Sequence, residues 1–387
     1  MQFQRYPMAL LRVTLLSAVT PLLAQGQEVI RPPADDGMIR GSVFADHNEN
    51  GRHDSGEPGI EGVLVSNGLE VVVTDSNGRY VLAVRGDMDL TVVQPSGWRV
   101  PVDKRQVPQF AYTHKPGGTP EALRFGGLPD TGSTPTVVNF PLYRVAESAD
   151  SFRCAILGDT QTYSNHEVSQ FRDSAMTDLV NQTWQENDCM LYVGDVVGDD
   201  LGLLERILEI GSAAGVPQWL VHGNHDFDFD ASDDAHSADS WRRLYGPNYY
   251  AFEIGEVSFI VLDNIVYPCG PEEAQVEGRE FCRESTTYNA RVTATQMQWL
   301  ENLLDRIPED RLIVLAHHAP LVSFVDSNSA KHQTDNAAAI YRLLEGRSVV
   351  SLSGHTHTLE NLAPGEHFGG WQEAVGVTEL PFRHIIA

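Results

Sequence analysis

Met190-Leu191-Tyr192-Val193-Gly194-Asp195 is four apolar residues, a glycine and a carboxylate. A short apolar run closed by a polar break reads as a buried strand, and the glycine lets the backbone turn off its end. The same form occurs in CAILGD (154–159), QWLVHGNHD (218–226), VSFIVLD (257–263), LIVLAHHAP (312–320) and VVSLSGHTH (349–357). Helix-period segments lie between them, at 167–185, 201–215, 293–307 and 337–346. Alternating strands and helices predict an α/β domain over 150–387, layered as helix, sheet, sheet, helix (αββα). In such sheets ligands gather past the C-terminal ends of the strands, where the polar breaks fall.

Upstream the period changes. IRGSVF, GVLVSN, EVVVTD, RYVLAV and DLTVVQ are short, Val-rich and separated by Gly, Asn and Asp clusters. That spacing predicts an all-β sandwich over 38–100, with a hairpin-type turn at Asp75-Ser76-Asn77-Gly78. Residues 101–148 hold Pro101, Pro108, Pro116, Pro120, Pro129, Pro135 and Pro141. They are expected to form an extended proline-rich connection, packed against the domains through Phe110, Tyr112, Phe125 and Phe140. No helix is expected before about residue 150.

The chain has 387 residues, more than one ordinary core accommodates. Its net charge is −26, with 53 acidic and 27 basic residues, so it should repel nucleic acid and anionic membranes. Residues 1–24 read as a secretory signal peptide: Arg5, then an apolar stretch broken by Arg12, then Leu22-Leu23-Ala24. The unbroken apolar run is shorter than the roughly 20 residues a membrane span needs. A secreted or periplasmic protein with no transmembrane segment in the mature chain is expected. In an oxidising compartment Cys269 and Cys282, which bracket a polar loop, should pair. For Cys154 and Cys189, buried thiols and a disulfide are both open.

The polar breaks carry Asp159, Gln161, Asp195, Asn224, His225, Asp226, His317, His318, His355 and His357. Asp, Asn, Gln and His suit first-row metal ions. Singly, each cluster reads as a turn or cap. Five in one order, with no G-x-S-x-G nucleophile motif, read as a metal site.

The order D-x-Q, G-D, G-N-H-D, H-x-P and G-H-x-H resembles that of the calcineurin-like metallophosphoesterase superfamily, over about 153–387. The resemblance implies two divalent or trivalent ions (Mn, Fe or Zn) and hydrolysis of a small-molecule phosphomonoester or phosphodiester by a metal-bridging hydroxide. It implies that Asp159, Gln161 and His357 hold the first ion and Asn224, His318 and His355 the second, with Asp195 bridging. His225 would be the acid, oriented by Asp226. Gln161 departs from the family's usual histidine, and its harder oxygen favours Mn²⁺ or Mg²⁺ over Zn²⁺.

Residues 46–57 fit a calcium-loop spacing through Asp46, Asn48, Asn50, Asp54 and Glu57, with Gly51 at the turn. They resemble calcium-binding β-sandwich repeats of bacterial surface proteins; an Asx-turn loop without a cation is the competing reading. The N-terminal part is similar to the accessory domain of some bacterial calcineurin-like phosphoesterases, including residues 112–116 and 139–142. Relatives with this arrangement usually continue past the apolar ending His384-Ile385-Ile386-Ala387, and a fragment and a shorter architecture are both open. A calcium-dependent surface or adhesion protein on a catalytically weak phosphoesterase scaffold is the alternative function. A nuclease would call for a basic groove, and the sequence has no Lys/Arg cluster.

Overall fold

In the computed structural model, alternate residues of one strand enter two cores. Phe259 and Val261 pack into one, Ile260 and Leu262 into the other. A strand buried on both faces lies in the middle of a layered domain. The structure describes residues 26–33, 36–145, 151–269, 288–324, 332–367, 376–377 and 379–387. The expected signal peptide and Cys282 fall outside the described residues.

The first part of the chain is all β. It comprises β1 (Glu28–Pro33), β2 (Met38–Ala45), β3 (Leu64–Ser66), β4 (Val71–Val73), β5 (Arg79–Ala83), β6 (Met88–Val92), β7 (Trp98–Arg99), β8 (Ala111–His114) and β9 (Pro135–Arg144). One sheet runs β1-β9-β2-β5, with β7 also on β9, and the other runs β4-β3-β6-β8. Val43, Leu82, Val138 and Phe140 of the first share a core with Val65, Leu90 and Val92 of the second. The connection expected over 101–148 therefore requires a correction: its described part, 101–145, is no connection, because β8 closes one sheet and β9 is an interior strand of the other. Pro135 opens β9, where a missing N–H is tolerated, and Pro141 sits where β9 has passed from β1 to β2.

The second part comprises β10 (Cys154–Leu157), α1 (Asn165–Asp173), α2 (Ala175–Val180), β11 (Cys189–Tyr192), α3 (Leu204–Gly211), β12 (Gln218–Leu220), α4 (Asp239–Leu244), β13 (Tyr250–Ile254), β14 (Val257–Val261), β15 (Ile265–Val266), β16 (Asn289–Ala290), α5 (Ala294–Leu304), β17 (Leu312–Ala316), α6 (Ala337–Leu343), β18 (Val349–Ser353), β19 (Glu360–Leu362) and β20 (Arg383–Ile386). A three-stranded parallel sheet, β10-β11-β12, faces a six-stranded sheet, β13-β14-β17-β18-β20-β19. Trp219 of β12 stacks on Phe252 of β13 at 3.8 Å between ring centroids. Helix α3 places Leu204, Ile207 and Leu208 against the smaller sheet's core, while Trp299, Leu300 and Leu303 of α5 cover the outer face of the larger. The helix expected over 167–185 breaks at Ser174, whose hydroxyl donates to the Gln170 carbonyl at 2.6 Å and competes with the helix ladder. The apolar chain ending is β20, paired in parallel with β18.

Cys154 and Cys189 are directly paired residues of β10 and β11 and form a disulfide. It ties together the starts of the two strands whose far ends carry Asp159 and Asp195. Cys269 is also disulfide-bonded. The two parts of the chain share a polar seam. Lys115 Nζ lies 2.7 Å from Asp87 and 2.6 Å from Asp239, and Arg242 reaches Asp87, Asp89 and Asp239. Phe110 fits between Trp219 and Tyr250.

Candidate metal centre

Asp159 and Gln161 follow β10, Asp195 follows β11, Asn224 and His225 follow β12, His318 follows β17, and His355 and His357 follow β18. Asp159, Gln161, Asp195, His355 and His357 have φ between 37° and 75°. Non-glycine residues seldom adopt this left-handed region, and among the described residues only Glu49, Gln106 and Asp199 do so elsewhere. Such strain persists where the surroundings over-determine it, and here it swings each side chain sharply off its strand. The glycines between them are needed for space. A Cβ on Gly194 would overlap the His318 ring, and one on Gly354 would overlap the Asp159 carboxylate.

Asp195 belongs to two clusters. With His318 and His355 it offers ligand atoms within 4.8 Å of one another, and with Asp159 and His357 it does so again. In the first cluster, His318 Nδ1 donates to the Val193 carbonyl at 2.9 Å, which leaves the lone pair of the neutral ring on Nε2. That nitrogen lies 3.0 Å from Asn224 Oδ1, 3.2 Å from Asp195 Oδ1 and 3.1 Å from His355 Nδ1. Two ring nitrogens, an amide oxygen and a carboxylate oxygen thus meet, a donor set that fits a first-row cation. Burial opposes charge on both groups, but the adjacent Asp195 carboxylate overrides it and raises the His318 imidazole, and His318 in turn holds the Asp195 carboxyl below its usual range. The cluster draws in positive charge.

In the second cluster, His357 Nε2 lies 3.7 Å from Asp159 Oδ1, and the His355 N–H donates to both Asp159 oxygens at 2.9–3.0 Å. Gln161 is held beside it: its N–H donates to the Asp195 carbonyl at 2.8 Å and its Nε2 to the Tyr163 hydroxyl at 3.1 Å.

His225 stands at the edge, its N–H donating to Asp195 Oδ1 at 2.8 Å. Its expected partner was Asp226, and the geometry corrects this. Asp226 is fully buried and accepts the N–H groups of Val196, Val197 and Gly223, so it braces two ligand loops. Burial, with Asp195 nearby, pushes its carboxyl up to about 7. The group that meets the His225 ring is Asp199, with Oδ1 2.6 Å from Nδ1. Asn264 also had no place in the sequence reading. Its Oδ1 accepts the N–H groups of His318 and Ala319, fixing the H-x-P turn. The signal was present, since Asn264 follows the apolar run VSFIVLD as the other polar breaks follow theirs. His317 points away and is satisfied by the Ala319 carbonyl and Ser351 hydroxyl.

The loop at 46–57 closes on itself. Asp46 accepts the N–H groups of Asn50 and Gly51, and Glu57 accepts those of His47 and Asp54. Asn48 and Asn50 turn their NH2 groups toward Asp54 at 3.0 and 2.7 Å. This geometry lends the calcium reading no support.

Residues 152–359 match the family model for calcineurin-like phosphoesterase, and residues 47–129 match the model for the N terminal of calcineurin-like phosphoesterase. No curated protein matches the chain. Among solved structures it is similar to a dimetal phosphatase from Danio rerio (17% identity, TM-score 0.39, covering 60% of this chain and 86% of that one). It is also similar to the phosphopantetheinyl hydrolase of Mycobacterium tuberculosis (12%, 0.37, 62% and 89%). A purple acid phosphatase from yellow lupin seeds is similar as well (11%, 0.38, 84% and 59%).

Proposed function

The chain belongs to the calcineurin-like phosphoesterase family and is a metal-dependent phosphoesterase, and on that premise we propose that it hydrolyses phosphomonoesters or phosphodiesters with two cations, outside the cytoplasm. The observation that carries the reading is the sharing of Asp195 between two ligand clusters. Asp159, Gln161, Asp195 and His357 would hold one ion, and Asp195, Asn224, His318 and His355 the other. Two such ions, when bound, neutralise phosphoryl charge and lower the pKa of water enough to make it nucleophilic near neutral pH.

The protein's own groups do the remainder. The strained backbone at five of the ligands holds them ready before any ion arrives, so little reorganisation is needed on binding. Val193 and Asn264 fix the His318 ring and its turn. Asp199 accepts from His225 Nδ1, which leaves Nε2 to face the substrate; when protonated, the ring can deliver a proton to the departing oxygen. Gln161, an oxygen ligand where imidazole is usual, favours Mn²⁺ over Zn²⁺. The Cys154–Cys189 disulfide suits an oxidising compartment, in keeping with the signal-like first 24 residues.

Aryl phosphate mono- and diesters, offered to the protein with Mn²⁺, test this. Turnover that stops with a chelator and returns with the metal is expected. A folded, metal-loaded protein that turns over neither ester would contradict the proposal.

A further inference from the structure

Among the described residues, the exposed large aromatic side chains are Tyr163 (51%), Phe229 (40%) and Phe324 (59%), and the most exposed large apolar residue is Leu359 (90%). Single exposed apolar residues are ordinary on protein surfaces. Their placement here is not. All four lie on loops that leave ligand-bearing strands: Tyr163 just after Gln161, Phe229 after Asn224 and His225, Phe324 after His318, and Leu359 just after His357. The other large apolar residues that are exposed, such as Val29, Val81 and Leu312, are aliphatic and sit on strands or helices, and of these Ile156 lies on β10 beside the Gln161 loop.

Two of these rings, Tyr163 and Phe229, are held by their neighbours. The Tyr163 hydroxyl takes the Gln161 amide proton, and the ring meets the His225 ring edge-on at 6.0 Å between centroids. The aromatic surface therefore lies beside the group positioned to protonate a leaving oxygen. Phe229 packs edge-on against Tyr267 at 5.4 Å, and the Tyr267 hydroxyl donates to the Phe229 carbonyl at 2.6 Å. The Phe324 N–H donates to Glu360 Oε2 at 2.8 Å, which sets Phe324 next to the segment that carries Leu359. Charged groups of both signs stand at the same loops: Asp199 and Asp200 follow Asp195, Asp230 and Asp233 follow Phe229, and Arg124 and His236 lie against Asp200 and Asp233.

We propose that Tyr163, Phe229, Phe324 and Leu359 form an apolar rim that binds the alcohol portion of the ester, so that the substrate is a phosphoester of an alkyl or aryl alcohol. Sugar phosphates and polyphosphates would place polar or multiply charged groups against the apolar surface. The inference rests on the phosphoesterase reading above and adds the class of leaving group. A buried methylene is worth about fourfold in binding, and less on an open rim.

The test is kcat/KM of the full chain, loaded with Mn²⁺, for n-alkyl phosphates from methyl to octyl. The expected result is a rise of about tenfold or more along the series, mostly through KM. In the double variant Leu359→Ser, Phe324→Ser, at equal metal content, the octyl-to-methyl ratio should fall by about tenfold. A flat series would overturn the rim, as would a double variant that keeps the wild-type ratio. Failure of the loaded protein to hydrolyse any ester, methyl phosphate included, would overturn the phosphoesterase reading and the rim with it.

Discussion

The loop at 46–57 and the ends of β10, β11, β12, β17 and β18 use the same chemical vocabulary of Asp, Asn, His and Gly. In the loop, the carboxylates of Asp46 and Glu57 accept backbone N–H groups, and two asparagines present NH2 groups to Asp54. At the strand ends, His318 Nε2, His355 Nδ1, Asn224 Oδ1 and Asp195 Oδ1 approach one another to about hydrogen-bonding distance, with the His318 N–H facing the other way, toward Val193. Carboxylates accept backbone N–H groups in both regions, as Asp195 does from His225 and Asp159 from His355; only the strand ends add imidazole nitrogens, drawn together from distant segments, whose lone pairs face the same carboxylates. Residue types are alike in both regions; the spacing is not, since the loop is one short stretch and the strand ends join residues far apart in the chain.

The comparison is most exposed to a pair of substitutions. Asp195→Asn should lower kcat/KM by about 10³-fold or more, several kcal/mol of transition-state stabilisation, in a protein that stays folded. Asp54→Asn should leave kcat/KM within about twofold. Similar losses in steady-state assays of the two variants would erase the distinction.

A smaller effect is expected beside the metals. Asp199→Asn should lower kcat by about 10²-fold with KM little changed, since proton delivery by a positioned side chain contributes typically 10²–10⁴-fold. Asp226→Ala should act mainly on stability, because three buried N–H groups lose their acceptor. A reversal of these phenotypes would return the orienting role to Asp226.

A further contrast, in pH dependence, sets two buried histidines against each other. His318 is drawn toward protonation by Asp195, whereas burial, with His317 nearby, lowers His384 to about 3. Tyr341 is the residue that hydrogen-bonds the His384 ring, at 3.1 Å. Unfolded, His384 takes a proton near pH 6.5; folded, it does not. Its contribution to stability is therefore complete above about pH 6.5 and is lost as pH falls toward 3, at about 1.4 kcal/mol per pH unit. His384→Phe should flatten this slope in denaturant titrations across pH, and an unchanged slope would show that other groups set it.

The strands and the polar residues that gather at their ends were legible in the sequence because both depend on local pattern: alternation for IRGSVF and RYVLAV, and an apolar run with a polar break for MLYVGD. What was missed depends on pairings distant along the chain. Asp199 reaches His225 because the turn after Asp195 folds back. The Cys154–Cys189 pairing, left open beside buried thiols, is decided by the register of parallel strands. The prolines of β9 suggested a connection, because the point where that strand changes partners cannot be seen locally. Asp226 misled because it adjoins His225 in sequence while its side chain turns inward to the loops it braces.

Metal content after dialysis against manganese and calcium together shows whether one carboxylate, Asp195, serves two ions. Asp195 is taken to serve both ions, so wild type should retain two manganese ions per chain and no calcium, and Asp195→Asn should lose both. A single manganese ion per wild-type chain, two ions retained in Asp195→Asn, or calcium held by residues 46–57 would contradict the account.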